Sequence, residues 1–193
     1  MRICVYCASV EGIDPRHVEL AAAVGRGVAE RGWELVSGGG KRSMMGAVAA
    51  AARAGGARTT GVIPRALVDL EWADRDSDEL LVVDTMRERK ALMEERADAF
   101  LTLPGGLGTF DELFEALTLV QTQKVTQFPV VLVGTAYWSG LLEWIKGALL
   151  DGGKISAADV DLISVTDDVA EAVRVVREAD QRREGAERRQ RSG

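Results

Sequence analysis

Short β-branched runs alternate with helical segments of ten or more residues along almost the whole chain, and no other feature constrains the fold as much. Tight turns suffice for antiparallel strands, but parallel strands need crossovers of this length. Residues Arg2–Ala8, Trp33–Ser37, Arg58–Ile63, Leu80–Asp84, Ala99–Leu103, Pro129–Val133 and Leu162–Val165 read as strands. Helices are expected over 14–31, Ser43–Gly55, Thr85–Ala97, Thr109–Gln123, Ala136–Leu150 and Asp167–Ala179, with an irregular acidic stretch at Arg65–Glu79. The pattern predicts an α/β fold with one parallel sheet and helices on both faces. Ligands of such sheets bind beyond the carboxyl ends of the strands.

Two glycine-rich loops fall at those ends. The first is Ser37-Gly38-Gly39-Gly40-Lys41-Arg42-Ser43-Met44-Met45-Gly46, the second Pro104-Gly105-Gly106-Leu107-Gly108-Thr109. Each follows a strand and opens a helix, where unpaired amides and the helix dipole suit an anion such as phosphate. Neither is a known nucleotide fingerprint. The P-loop spacing fails because Arg42 follows Lys41 and Leu35 stands at the first glycine position. The dinucleotide pattern fails because Ser43 stands at the third. Tight strand-to-helix turns alone would also explain the glycines.

Between the loops lies the helix TMRERKALMEERA. Helical spacing puts Met86, Lys90, Met93 and Ala97 on one stripe with Arg89 beside it, so two cations interrupt an apolar face. A charge there must be paired, face a crevice or snorkel to water. Arg87, Glu88, Glu94, Glu95 and Arg96 read as a solvated surface. After the second loop, Thr109-Phe110-Asp111-Glu112 fits a capping box with Thr109 as N-cap. Glu112 is therefore either a cap or an acid placed one turn above an anion hole.

Charge and composition exclude several classes. The net charge is −6, yet Gln181–Gly193 carries five arginines and two glutamates, leaving −9 on the rest of the chain. Such a body is a poor platform for a phosphate polymer, so nucleic acid is not an expected partner. The length suits one domain over 1–180, and 181–193 reads as a disordered basic tail. No stretch approaches a membrane span or an export signal, and the expected location is cytoplasmic. Cys4 and Cys7 read as core residues on opposite faces of the first strand. With His17 as the lone histidine, and expected to be exposed, neither metal nor cofactor is expected.

Gly38-Gly39-Gly40 with Met45-Gly46, then Arg89-Lys90, then Pro104-Gly105-Gly106-Leu107-Gly108-Thr109-Phe110-Asp111-Glu112 together resemble the LOG ("Lonely guy") family of cytokinin riboside monophosphate phosphoribohydrolases, often mislabelled lysine decarboxylases. The resemblance runs from Arg2 to Ala179. Cys7-Ala8-Ser9-Val10 replaces the usual C-G-S-S, and Arg87 replaces a frequent histidine. The resemblance implies a Rossmann-like fold, cleavage of the base–ribose bond of an adenosine monophosphate-type nucleotide, and homodimers or assemblies of dimers. It implies Arg89 and Glu112 as the catalytic pair; the guanidinium is expected to orient the acid and keep it ionised, since an adjacent cation lowers a carboxylate's pKa. Ser9, Glu71, Lys90, Gly106, Leu107, Gly108 and Thr109 are implied as nucleotide contacts. Gly39, Gly40, Met45, Gly46 and Gly105 complete the expected substrate-binding set. The alternatives are a nucleotide or molybdenum-cofactor carrier of the same fold, and a nucleic-acid processing protein. A pyridoxal phosphate decarboxylase finds no suitable context at Lys41, Lys90, Lys124, Lys146 or Lys154.

Overall fold

The computed structural model describes residues 1–122 and 129–178. The expected tail at 181–193 and the end of the helix read to Gln123 lie outside them. The described chain forms one seven-stranded sheet in the order β4-β3-β2-β1-β5-β6-β7. The strands are β1 (Arg2–Tyr6), β2 (Glu34–Ser37), β3 (Thr59–Pro64), β4 (Glu79–Val83), β5 (Ala99–Thr102), β6 (Val130–Val133) and β7 (Ile163–Thr166). Every neighbouring pair is parallel. The predicted Rossmann-like α/β architecture is the one observed.

The crossovers are α1 (Pro15–Glu30), α2 (Ser43–Ala54), α3 (Met86–Glu95), α4 (Leu107–Gln121), α5 (Thr135–Trp144) and the short α6 (Ala157–Val160). Residues 169–178 form a further helix, α7. A π-helical turn at Ile145–Leu150 continues α5. Strand alternation sorts the core into two layers. Ile3, Val5, Leu35, Leu101, Val131 and Val133 meet α1, α2 and α7 on one face. Cys4, Tyr6, Val36, Val62, Phe100 and Leu132 meet Met93 of α3, Leu113 and Ala116 of α4, and Trp138 of α5 on the other. Cys4 and Cys7 fall in opposite layers, as their spacing predicts.

Successive strands step outward from β1 to β4, then the chain returns across the sheet to place β5 on the other side of β1. Connections leave β1 and β5 in opposite directions, and a crevice opens between them at this topological switch point.

Helix ends follow local chemistry. Asp14 caps α1 by accepting from the Arg16 amide at 2.9 Å, and Pro15 occupies the first helical position. Thr85 and Glu88 form a reciprocal capping box on α3. The box expected at Thr109–Glu112 does not form. Helix α4 begins earlier, with extended Gly106 as its N-cap, so Thr109 sits in the first turn and Glu112 in the helix body.

Small residues let α1 lie against α2. A Cβ on Gly25 would come within 2.3 Å of the Val48 carbonyl oxygen. Gly→Ala in a helix interior ordinarily gains about 1 kcal/mol. Here backbone meets backbone, and overpacking costs about 1–3 kcal/mol. Gly25→Ala should therefore lower the urea midpoint; an unchanged or higher midpoint would show that the two helices can separate freely.

Candidate active site

A cavity of about 150 Å³ opens at the carboxyl ends of β1 and β5. Cys7, Ala8, Ser9 and Val10 enter from the segment after β1, and Gly106, Gly108, Thr109 and Glu112 from the start of α4. Met45, Glu71, Met86 and Arg89 close the remaining sides. Residues from five separate stretches of sequence thus converge.

Arg89 is 3% exposed, and its guanidinium is consumed by the protein. Nε donates to the Val62 carbonyl at 3.2 Å, and one terminal nitrogen donates to the Gly38 carbonyl at 2.8 Å and to Glu71 at 3.3 Å. The other terminal nitrogen points at the Met86 sulfur, 3.8 Å away. None of these bonds reaches Glu112. A buried charge needs such partners, and these also orient the group.

The irregular stretch 65–78 brings Glu71 here, and several bonds hold it in place. Gly40 and Ala73 form an isolated antiparallel bridge. The Lys41 amide donates to the carbonyls of Glu71 and Trp72, and the Asp74 amide donates to Gly39. Asp74 is buried and takes a 2.7 Å ion pair from Arg53 of α2. Glu71 then accepts from the Ser9 hydroxyl at 3.3 Å as well as from Arg89. No periodic signal in this stretch marks Asp74. In the sequence, Cys7, Ala8 and Val10 read only as the segment standing where C-G-S-S is usual, and Met86 only as part of an apolar stripe, although the switch-point rule flags the end of β1.

The first glycine loop serves the fold rather than the cavity. The amides of Gly39 and Gly40 point to the Ser37 hydroxyl and the Met45 sulfur, and the Gly46 amide donates to Arg42. A Cβ on Gly38 would lie 2.0 Å from the Arg89 guanidinium, and one on Gly46 would lie 1.9 Å from the Lys41 carbonyl. The loop is glycine-rich because its own chain approaches it. Of Gly39, Gly40, Met45 and Gly46, only Met45 lines the cavity.

The second loop divides similarly. Gly106, Gly108 and Thr109 line the cavity, whereas the Leu107 side chain is 90% exposed and outside it. The Gly105 carbonyl accepts from the Tyr137 hydroxyl. Lys90 turns away, pairing with Asp111 at 2.9 Å and Glu115 at 2.5 Å on α4. Glu94, expected on a solvated surface, is half-buried, and its Oε1 has no hydrogen-bond partner.

Glu112 is 8% exposed. Burial pushes its carboxyl up to about 7; the Arg89 charge opposes this, and Glu71 and Asp111 reinforce it. The Arg89 charge favours the ionised form, in the direction expected, but desolvation outweighs a guanidinium that is already engaged. Burial likewise raises the neighbouring Cys7 thiol, which stays neutral.

Fold and crevice define a Rossmann-like protein with an acid and a guanidinium gathered at the switch point, beside the first turn of a helix. A family described as "Possible lysine decarboxylase" matches residues 45–176. A cytokinin riboside 5'-monophosphate phosphoribohydrolase of Mycobacterium tuberculosis is 50% identical over 179 residues, covering 89% of this chain and 91% of the relative. An Arabidopsis thaliana protein of the same description is 39% identical, covering 92% and 81%. Among solved structures, the molybdenum cofactor carrier protein of Chlamydomonas reinhardtii aligns with a TM-score of 0.71 at 21% identity, covering 92% of this chain and 96% of that one. The molybdenum cofactor binding protein of Rippkaea orientalis gives 0.69 at 18%, covering 92% and 95%. At such identities the likeness shows the fold alone. The chain belongs to the family of the cytokinin riboside 5'-monophosphate phosphoribohydrolases, the one that carries the lysine decarboxylase description.

The raised acid carries a stability consequence. A carboxyl at about 7 in the fold and near 4.5 when unfolded binds its proton more tightly in the native state. Its contribution is full below the unfolded value, falls as pH rises from about 4.5 to about 7, and is constant above that. The span corresponds to about 3 kcal/mol. Glu112→Gln should therefore gain stability relative to the parent as pH rises from about 4.5 to about 7, and hold that gain above it, in thermal melts. A stability difference independent of pH would mean that the acid is solvated.

Proposed function

We propose that the protein is a nucleoside 5'-monophosphate phosphoribohydrolase, cleaving the N-glycosidic bond of AMP or an N6-modified AMP to free base and ribose 5-phosphate. The observation carrying this reading is the buried Glu112 carboxyl beside the Arg89 charge, at the wall of the cavity that the first turn of α4 also lines.

The first-turn amides of α4 have no intrahelical acceptor and, with the helix dipole, suit the 5'-phosphate. Holding the phosphate there places the ribose against the body of the helix, where Glu112 projects. Breaking the bond sends its electron pair to the base and leaves oxocarbenium character on the ribose. An ionised Glu112 stabilises that charge and either adds to the anomeric carbon, to be displaced by water in a second step, or takes the proton of the attacking water; on either route the water's hydroxyl ends on the ribose and its proton on the departing base. Arg89, locked by two backbone carbonyls, supplies positive charge that favours the ionised form without reorganising. Glu71, already accepting from Ser9, offers an acceptor for the ribose hydroxyls. The mechanism uses no metal and no cofactor.

A non-hydrolysing carrier of the same fold is the second reading. It draws on fold likeness alone, and incubation with AMP followed by assay for adenine separates the two. We take the protein to act in the cytoplasm as a homodimer or an assembly of dimers. No helix among the described residues is long and apolar enough to cross a membrane. A monomer mass by light scattering at micromolar concentration would count against the dimer.

Two outcomes follow for the reaction. Glu112→Gln should lower the rate of base release at least about 10³-fold while retaining the parent's circular dichroism. Because the ionised acid reacts, kcat/KM of the parent should rise with pH and level off above an apparent value of about 7. A profile falling through that range would reverse the assigned protonation state.

A further inference from the structure

Lys90 follows Arg89 in α3, yet it does not line the cavity. Its side chain is 13% exposed, and its ammonium lies 2.9 Å from Asp111 Oδ2 and 2.5 Å from Glu115 Oε2. Asp111 immediately precedes Glu112, and Glu115 lies three residues beyond it. The two ion pairs therefore join the α3 residue next to Arg89 to the α4 residues that bracket Glu112.

Glu94, one helical turn after Lys90, completes a cluster of three carboxyls and one ammonium. Burial and the Glu115 charge push Glu94 up to about 7, while Lys90 opposes them. Lys90 is the only cation of the four, so without it the three carboxyls of the cluster would have no counter-charge within it. On its other side α3 is pinned to the sheet by Arg89, through Val62 and Gly38. Arg89 thus fixes α3 to β3 and the end of β2, and Lys90 fixes α4 to α3.

We propose that Lys90 is a positioning residue, not a nucleotide contact: with Asp111 and Glu115 it forms a strut that sets where Glu112 stands relative to Arg89. The proposal rests on the hydrolase reading above. A nearly buried ammonium stripped of its partners is left uncompensated, and carboxylates stripped of their ammonium repel. Either change frees the first turns of α4 to shift, and a displacement of about 1 Å at a reacting group costs about 10²-fold in rate.

The test compares the full chain with Lys90→Met, Lys90→Arg, the double variant Asp111→Asn/Glu115→Gln, and the triple combination with Lys90→Met. Release of adenine from AMP gives kcat and KM, titration with ribose 5-phosphate gives affinity, and thermal melts give the stability coupling. Lys90→Met and the double variant should each lower kcat about tenfold or more, with KM and ribose 5-phosphate affinity within about twofold of the parent. Lys90→Met should add little in the double-variant background, in kcat and in melting temperature alike, because the partner groups are already gone. Lys90→Arg should recover most of kcat. The strut is overturned if Lys90→Met raises KM and weakens ribose 5-phosphate about tenfold with kcat kept, the pattern of a ground-state contact. It is equally overturned by a double variant with parental kcat, a measurement that stands even if Lys90→Met does not fold. A parent inert toward AMP would refute the hydrolase reading; additive melting temperatures would then independently refute the strut.

Discussion

The hydrogen bonding of one buried guanidinium organises the site. Arg89 is almost fully enclosed, and a cation so placed persists only with close partners. Its partners come from three separate places: the carbonyl of Gly38 after β2, the carbonyl of Val62 in β3, and the carboxylate of Glu71 in the irregular stretch. One side chain of α3 thereby ties two strand ends and a loop to the rim of the cavity. The absence of a side chain at Gly38 follows from this, since a Cβ there would occupy the space of the guanidinium. Arg89 acts on Glu112 through its charge across the cavity, with its geometry already settled by the fold.

That arrangement sets a contest at Glu112 that burial wins. A guanidinium shared among carbonyls and another acid offers less to a second carboxyl than an isolated one would. The desolvation of an acid set in the body of α4 is correspondingly uncompensated, and Glu112 titrates near neutrality. An acid poised there changes protonation at little free-energy cost, a property suited to proton transfer or to a switch between neutral and charged forms during a reaction.

Much of this was legible beforehand, and the failures have a common cause. Strand and helix periods, with glycines at strand ends, located all seven strands and put both loops at one edge of the sheet. The motif resemblance drew attention to Ser9, Met45, Glu71, Arg89, Gly106, Gly108, Thr109 and Glu112, and all of these line the cavity. Gly39, Gly40 and Gly46 do not, because a glycine reports only that something comes close to the backbone. Here that something is the chain itself. Thr109 and Glu112 had the spacing of a capping box, but Gly106 could start the helix a turn sooner, and no local rule ranks the two. Glu94 looked solvated because its own helix offers no sign that α4 and the sheet enclose it.

The sequence by itself determined the layers, the parallel sheet and the edge where a ligand could bind, because these follow from the local period of apolar residues and from where glycine interrupts it. It also marked which acid and which guanidinium were worth watching. Only the tertiary structure decided what each charge meets. Arg89 and Lys90 are adjacent in the chain and both interrupt an apolar face, yet one turns to backbone carbonyls beside the cavity and the other to carboxylates on the next helix. A side chain's electrostatic partner is set by what packs across from it, and neither composition nor spacing carries that information.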